Sequence, residues 1–317
     1  MLTTKYNFTK ISPSEFENWL SGVNLSRTVL KVQQHHTYIP SYQLFNGSNH
    51  FELQRGMRNT HIDIFRWADI AQHFTIFPDG QILTGRSLEM NPAGIVGQNA
   101  NAICIENLGF FDKGKDDMTQ AQKDAIVTVT ALLCKKFNLP IDTKSIIYHH
   151  WYSAKTCPGT NFFGGNRRED CEKHFLPLVK NVAPQKPKED DDRIKAYAIV
   201  TALMLNVRTG PGVSHAISSE RAPVERTNIL RVYDEKNGWL KISASKPLWV
   251  SGKFTKNVQR YVVEAPMLNV RSGPAMRYYT IGQVHQGESV FISEEKGIWR
   301  RMALEDKWVS ANFLKAF

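Results

Sequence analysis

The sequence predicts an α/β domain with a mixed central β-sheet flanked by helices, followed by two small β-barrels. Strand-like and helix-like patterns alternate through residues 1–183, as in α/β domains. The segment PQKPKEDDDR at 184–193 combines prolines with an acidic run and has no apolar periodicity, which is typical of a solvated linker. After it, MLNVRTGPG at 204–212 returns as MLNVRSGPA at 267–275, which indicates an internal repeat.

These patterns divide the chain of 317 residues, a length that suits two or three domains. We predict four segments: an α/β domain at 1–183, a linker at 184–196, and two repeats at 197–256 and 257–317.

The elements of the first domain follow from hydrophobic period and turn residues. Apolar residues at helical spacing follow Thr119, a residue type that commonly caps helix N-termini. The predicted elements are a strand at 29–37, a hairpin at 68–86 turning at Asp79-Gly80, a strand at 102–107, a helix after Thr119, a strand at 145–150 and a closing helix interrupted at Pro177.

Each copy of the repeat is built from short β-branched and aromatic runs separated by Gly, Pro and Asn. Further matches keep the same order: GWLKI at 238–242 corresponds to GIWRRM at 297–302, and LWVSGKF at 248–254 to KWVSANF at 307–313. Copies of about 60 residues with this composition predict small β-barrels.

Charge and composition restrict the classes of partner. The formal charge is +10, and residues 197–317 contribute +7 of it, from 17 Lys and Arg against 10 Asp and Glu. Such a protein is attracted to polyanions. No basic block is interleaved with aromatics on a helix, so we predict no nucleic-acid partner.

The number of cysteines and the lengths of the apolar segments predict the cellular compartment of the protein. The four cysteines are too sparse for a disulfide scaffold and suit a protein made in a reducing cytosol. The N-terminal residues lack the apolar core of a signal peptide, and no run of about 18 apolar residues follows. We therefore predict accumulation in the cytoplasm, without a signal peptide and without membrane insertion.

Histidines and one cysteine are candidate metal ligands. Zinc hydrolases need three protein ligands and a fourth position open to water, whose pKa the metal lowers to about 7. His35 or His36 ends one predicted strand, and His149 or His150 ends another. Cys157 follows in the segment KTCPG. The residues alone leave the choice within each histidine pair open.

Four segments carry a resemblance to a known family: VQQHHTY, IAQHFTIFPDGQILTGR, GQNANAICIENLG and YHHWYSAKTCPG. In order and spacing they resemble the type 2 N-acetylmuramoyl-L-alanine amidases, a family that includes phage amidase endolysins and peptidoglycan-recognition proteins. The resemblance covers roughly residues 28–180. It implies one Zn²⁺ per chain, held by His35, His149 and Cys157. His36 and His150 are then expected on the opposite strand face, as packing or substrate-rim residues.

The resemblance also implies two catalytic residues. Lys155, two positions before the cysteine ligand, matches a lysine that stabilises the oxyanion. Many relatives use a tyrosine as general base where this sequence has Gln72, and a glutamine cannot take a proton. Some relatives instead use a glutamate on the strand after the hairpin, which corresponds to Glu106.

The repeats resemble bacterial SH3 domains, with L-N-V-R-x-G-P as their signature. The resemblance implies binding to wall peptides or wall glycopolymers, and two copies imply avidity. Trp249 and Trp308, in the repeated W-V-S motif, are expected in the barrel cores.

Together these features predict hydrolysis of the amide between N-acetylmuramic acid and L-alanine in peptidoglycan. Two wall-binding repeats without a signal peptide favour a phage or prophage endolysin, which reaches the bacterial wall after release. The alternatives are a non-catalytic peptidoglycan-recognition protein, a host autolysin, a cytosolic recycling amidase and a peptidase with Cys157 as nucleophile and His149 as base.

Overall fold

The computed structural model describes residues 2–182 and 193–316. Its residues form two compact units, Met1–Val23 with Val29–Lys188, and Asn24–Thr28 with Glu189–Phe317. Most of the predicted linker, residues 184–192, lies outside the described residues. Ala196, its last predicted residue, is already the first residue of a strand.

The N-terminal unit consists of a mixed sheet with helices. Its strands are β1 (Thr3–Lys5), β2 (Phe8–Ile11), β3 (Lys31–His36), β4 (Phe74–Ile76), β5 (Ile82–Thr84), β6 (Ala102–Asn107) and β7 (Ile146–Tyr148). Its α-helices are α1 (Pro13–Ser21), α2 (His50–Asn59), α3 (Gln120–Phe137), α4 (Arg168–Asp170) and α5 (Leu176–Val182). Short 3₁₀ turns occur at Tyr42–Leu44, His149–Tyr152 and Phe162–Gly164, and π-helical turns at Thr60–Ile64 and Cys171–Phe175.

The seven strands of this sheet lie in the order β1-β2-β5-β4-β6-β3-β7. The pairs β4–β6, β6–β3 and β3–β7 are parallel, and the pairs toward β1 are antiparallel. The mixed sheet confirms the predicted fold class. Because β3, β6 and β7 run in the same direction, their carboxyl ends meet at one edge, where α/β proteins commonly bind ligands.

Two local predictions are confirmed at residue level. Thr119 caps α3, since its side chain accepts a hydrogen bond from the Gln122 backbone N–H at 3.1 Å, and the helix ends at Asn138 in the left-handed conformation. The hairpin β4–β5 turns at Asp79-Gly80, where Gly80 has φ +81° and donates to the Phe77 carbonyl.

One strand is shorter than the sequence predicts. The strand expected at 145–150 ends at Tyr148, and His149–Tyr152 form a 3₁₀ turn. The chain turns there because the His150 backbone N–H bonds the Cys157 carbonyl at 2.6 Å instead of continuing the sheet. The expectation that His150 lies on a strand face is therefore wrong.

The C-terminal unit is β-rich. Its strands are β8 (Ala196–Val200), β9 (Met204–Leu205), β10 (Val224–Glu225), β11 (Ile229–Val232), β12 (Asp234–Lys236), β13 (Trp239–Lys241), β14 (Trp249–Ser251), β15 (Thr255–Val263), β16 (Met267–Arg271), β17 (Thr280–His285), β18 (Ser289–Lys296), β19 (Trp299–Met302), β20 (Trp308–Ser310) and β21 (Leu314–Ala316). Short 3₁₀ turns at Gly252–Phe254 and Ala311–Phe313 follow β14 and β20 at equivalent places in the two repeats.

Two hydrophobic cores occupy the C-terminal unit. The first includes Leu205, Val207 and Val250, and the second includes Leu268, Val270 and Val309, which stand at the corresponding positions of the second repeat. Trp249 and Trp308 are 8% and 6% exposed, so both indoles are largely buried.

The two repeats share a strand. Residues 255–258 of β15 pair with β8 of the first repeat, and residues 259–262 pair with β18 of the second. The predicted boundary between residues 256 and 257 therefore falls inside a continuous strand. TKNVQRYVV contains no Gly or Pro that would interrupt it.

Among the described residues, none of the helices has both the length and the apolar character that crossing a membrane requires.

Candidate metal centre

A cluster of histidine, cysteine and glutamate side chains lies at the carboxyl edge of the parallel strands. His35 is near the end of β3, Glu106 is beside it on β6, and His149 directly follows β7. His35 and Glu106 are Cα partners in the parallel ladder, so the sheet register sets their separation. The fourth member, Cys157, is on the loop after the His149–Tyr152 turn.

Three of these residues form a candidate ligand set. One donor atom from each of His35, His149 and Cys157 lies within 4.8 Å of the others. The Cys157 Sγ is 3.5 Å from the Nδ1 of His35, and the two imidazole centroids are 4.8 Å apart. His35 and Cys157 are buried, whereas His149 is partly exposed. The arrangement leaves three convergent donors at a point that solvent can reach.

Hydrogen bonds hold the cysteine in this place. The His150 backbone N–H donates to the Cys157 carbonyl at 2.6 Å, and the His150 Nδ1 bonds the Lys155 carbonyl at 2.7 Å. The Thr156 hydroxyl donates to Asp112 at 2.9 Å. The His36 backbone N–H points at the Cys157 sulfur at 3.3 Å, an interaction that stabilises negative charge on sulfur. His150 thus orients the loop and is not among the convergent donors.

Burial sets the protonation of the three donors. It lowers the pKa of His35 well below 6.5, and repulsion from the protonated forms of His149 and His36 and from Lys155 adds to the effect. Burial, then Lys155 and His36, lowers the pKa of His149 to about 4. Both imidazoles are therefore neutral near pH 7, as metal ligands must be. Burial and Glu106 raise the pKa of the Cys157 thiol, so metal binding would displace its proton.

Glu106 brings a carboxyl group to the cluster, and one oxygen of that group has no hydrogen-bond partner among the described residues. Its Oε1 lies 3.8 Å from the Nδ1 of His35, while its Oε2 is buried and has no hydrogen-bond partner among the described residues. Burial raises the pKa of this carboxyl well above 4.5, and the Lys155 cation opposes the rise. A buried oxygen without a partner is costly, which indicates that a ligand or water completes this site.

Lys155 acts on the cluster through its charge. Its side chain is exposed, yet its field lowers the pKa of His35, His149, Glu106 and Cys157. All four effects have the same direction, so this cation favours the deprotonated form of each group.

The neighbouring candidates have other contacts. The Nδ1 of His36 accepts the Phe111 backbone N–H at 3.2 Å, and its ring lies edge-on to Phe110. Gln72 is fully buried and donates to the Thr75 hydroxyl at 2.9 Å. Neither residue is in either group of candidate metal ligands found among the described residues.

The second such group consists of His35, Cys104 and Glu106. Cys104 lies two residues before Glu106 on β6 and is fully buried, and burial raises its thiol pKa well above 9.0. The two groups have His35 in common, so the second is part of the same cluster.

Sequence reasoning missed two residues that surround His35. Gln33, two positions earlier on β3, is fully buried, and its Oε1 lies 3.3 Å from the Nε2 of His35. Gly94 packs against this pair so closely that an added Cβ would lie 2.3 Å from the Gln33 oxygen. The alternation of side chains along β3 was the available signal, because it places Gln33 and His35 on one face.

The N-terminal part of the chain is similar to a known protein family. Residues 25–160 match the family model described as N-acetylmuramoyl-L-alanine amidase. The similarity to this family is therefore confined to the N-terminal part of the chain. His35, His149, Cys157, Glu106 and Lys155 are all within the matched residues.

Curated relatives also match part of the chain. A putative N-acetylmuramoyl-L-alanine amidase, YrvJ of Bacillus subtilis (strain 168), is 30% identical over 132 residues, which are 37% of this chain and 25% of that protein. Peptidoglycan-recognition protein SC2 of Drosophila melanogaster is 32% identical over 105 residues, covering 32% of this chain and 54% of that protein. The chain thus spans between a quarter and about half the length of these relatives.

A solved structure is also similar to part of the chain. The N-acetylmuramoyl-L-alanine amidase LysC from Clostridium intestinale is 24% identical, with a TM-score of 0.37, and the match covers 47% of this chain and 86% of that one.

Proposed function

We propose that this chain is a zinc-dependent N-acetylmuramoyl-L-alanine amidase that hydrolyses the amide between N-acetylmuramic acid and L-alanine in peptidoglycan. One observation carries the proposal: the donors of His35, His149 and Cys157 converge beside the carboxyl group of Glu106, whose Oε1 is 3.8 Å from the Nδ1 of His35. The match of residues 25–160 to the amidase family supports the substrate class.

The donor set fits zinc. Tetrahedral zinc with Zn–N lengths of about 2.0–2.1 Å and a Zn–S length of about 2.3 Å separates nitrogen and sulfur ligands by about 3.6 Å. The Nδ1 of His35 and the Sγ of Cys157 are 3.5 Å apart. Imidazole and thiolate donors suit zinc, whereas magnesium and calcium prefer oxygen donors. Three protein ligands leave the fourth position for water or substrate, as in catalytic zinc sites.

In the proposed reaction, Glu106 and Lys155 have different roles. Bound zinc would polarise the substrate carbonyl and lower the pKa of water. Glu106, whose pKa burial raises, accepts a proton from the attacking water and delivers it to the leaving amine of L-alanine. The cation of Lys155 stabilises the negative charge that develops on the carbonyl oxygen.

Within the same proposal, the two C-terminal repeats act as SH3-like modules that hold the enzyme on the wall. Residues 197–317 carry a formal charge of +7, which favours binding to anionic wall polymers. Paired anchors are useful to an enzyme that attacks intact walls, such as a phage endolysin, and not to one that processes soluble fragments.

Two measurements on the purified full-length chain test the proposal: its zinc content, and the release of new L-alanine amino termini from peptidoglycan. We expect one zinc per chain, new amino termini and unbroken glycan strands. A protein that contains no zinc and binds peptidoglycan without cleaving it is instead a recognition protein. Zinc-loaded protein that releases no amino termini contradicts the proposal.

Matched variants assign the roles. Cys157→Ala should lose both zinc and activity, whereas Cys134→Ala, which removes another buried thiol in α3, should keep both. Glu106→Gln should keep zinc and lose activity by about 10²–10⁴-fold, the usual contribution of general acid–base catalysis. Full activity of the zinc-loaded Glu106→Gln protein would remove Glu106 from the mechanism.

A further inference from the structure

Gln33 forms a hydrogen bond to the side of His35 that faces away from the other candidate ligands. Both side chains project from the same face of β3, and both are almost completely buried, at 0% and 2% exposure. The Gln33 Oε1 lies 3.3 Å from the Nε2 of His35. The opposite ring nitrogen, Nδ1, is 3.5 Å from the Cys157 Sγ and 3.8 Å from the Glu106 Oε1.

A second contact fixes which way the Gln33 amide points. Its Nε2 donates to the Gln98 backbone carbonyl at 2.9 Å. Because a carbonyl oxygen can only accept, the amide nitrogen must face Gln98 and the amide oxygen must face His35. The His35 Nε2 must then carry the proton, which leaves the lone pair on Nδ1 directed toward Cys157 and Glu106.

The backbone at Gly94 closes over this hydrogen bond. A Cβ at Gly94 would lie 2.3 Å from the Gln33 Oε1, 3.0 Å from the His35 Nε2 and 3.0 Å from the Cys104 Sγ. Only glycine lets the chain approach so closely. Asn99 holds the segment there, since its side-chain oxygen accepts the backbone N–H groups of Gly94 and Ile95 at 3.0 and 2.9 Å.

We propose that Gln33 is a positioning residue, which holds His35 in the tautomer that offers Nδ1 to the metal, and that Gly94 is required to keep this hydrogen bond intact. The metal part of this inference rests on the proposed function. Neutral histidine ligands generally need such a partner on the second ring nitrogen, and losing it typically weakens metal binding by about 10–100-fold.

The chain contains a matched control for Gln33. Gln34 is the next residue of β3, is equally buried, and also makes two side-chain hydrogen bonds, to Thr130 at 2.8 Å and from Asn107 at 3.0 Å. It points to the other face of the sheet. Gln33→Met and Gln34→Met therefore remove the same amide from the same strand, but only the first removes a partner of His35.

The experiment measures Zn²⁺ affinity of the full-length chain by competition with a chelator. We expect Gln33→Met to weaken zinc binding by about 10–100-fold and Gln34→Met to change it by less than about threefold. Gly94→Ala should resemble Gln33→Met, while Gly56→Ala, at a position with open space around it, should resemble the wild type. Equal losses in Gln33→Met and Gln34→Met would overturn the proposal, because a merely structural role affects both.

A second measurement does not depend on the metal. Nitrogen NMR of the zinc-free wild-type protein reports which nitrogen of His35 is protonated. We expect the proton on Nε2 in the wild type and a mixture of tautomers in Gln33→Met. A proton on Nδ1 in the wild type would refute the inference. If the wild-type chain binds no zinc, the proposed function fails, and this tautomer measurement alone decides the role of Gln33.

Discussion

Burial of single side chains determines the charge of the candidate metal centre. It keeps His35 and His149 neutral and keeps Glu106 protonated to a higher pH than a free carboxyl. The exposed Lys155 lowers the pKa of all three groups. The site therefore combines two neutral imidazoles with an exposed lysine at its edge, as the proposed hydrolysis requires, because negative charge develops in that reaction.

Lys155→Met should lower turnover and leave zinc binding nearly unchanged, because the ammonium group stabilises developing charge without being a ligand. We expect kcat for amide hydrolysis to fall by about 10–100-fold, less than for a fully buried oxyanion donor. Lys144→Met, which removes another exposed lysine of the same unit, is the control. If the loss appears in zinc affinity instead of kcat, Lys155 supports the fold of the loop.

His61 should make the stability of the N-terminal unit depend on pH. Burial, with a smaller effect of Arg86, lowers its pKa from 6.5 to about 4, and its Nδ1 accepts the Ala71 backbone N–H. Between these two values the unfolded chain binds a proton that the folded chain does not, so the free energy of unfolding falls as the pH falls through this window.

The measurement compares the urea midpoints of the N-terminal unit at about pH 7 and about pH 5. His61→Gln should show a smaller decrease than the wild type, whereas His174→Gln, at an exposed histidine, should match the wild type. An identical decrease in all three proteins would contradict the role of His61.

At the scale of elements, the site depends on hydrogen bonds between the loop after β6 and the loop that carries Cys157. Asp112, just after β6, accepts the Thr156 hydroxyl through one oxygen and the Thr160 backbone N–H through the other, each at 2.9 Å. Thr156 directly precedes Cys157. The parallel strands supply His35 and Glu106, but this contact positions the cysteine.

Asp112→Ala should therefore weaken zinc binding by about tenfold, because the loop would no longer hold Cys157 in the orientation of a metal ligand. The lost charge-assisted hydrogen bonds should also lower the free energy of unfolding by about 1–3 kcal/mol. Asp117→Ala is the control, because Asp117 bonds Asn161 farther along the same loop at an exposed position. Chelator competition and urea denaturation measure the two effects, and equal zinc affinity in both variants would argue against a positioning role.

At the scale of the whole molecule, the chain consists of a unit with the candidate metal centre and a β-rich unit with two cores. Within the β-rich unit, β15 pairs with strands of both repeats. The two repeats are thus joined by one backbone strand, which limits how freely their surfaces can move relative to each other.

Removing residues 184–317 should separate catalysis from anchoring. Cleavage of soluble muramyl peptides should persist, whereas clearance of intact walls should fall by about tenfold or more through loss of avidity. Because the removed repeats are basic, the advantage of the full chain should shrink at high salt. A parallel loss on both substrates would mean that the C-terminal unit supports the fold of the N-terminal unit and does not anchor it.

The sequence by itself determined the α/β class, the internal repeat and the segments that contain His35, His149 and Cys157. These features are encoded locally, in hydrophobic period, turn residues and short motifs. The hairpin at Asp79-Gly80 and the cap at Thr119 were predictable for the same reason, since neighbouring residues provide their hydrogen bonds.

Only the tertiary structure decided the features that depend on contacts between distant residues. The strand β7 ends before His149 because the His150 backbone N–H bonds the Cys157 carbonyl, a contact that is not predictable from local pattern. The strand β15 is continuous across both repeats because it pairs with β8 of the first and β18 of the second. The tertiary structure also brought Gln33 and Gly94 around His35. Gly94 is 59 residues from His35 in the sequence, and no local pattern encodes such a contact, because strand order and loop packing create it.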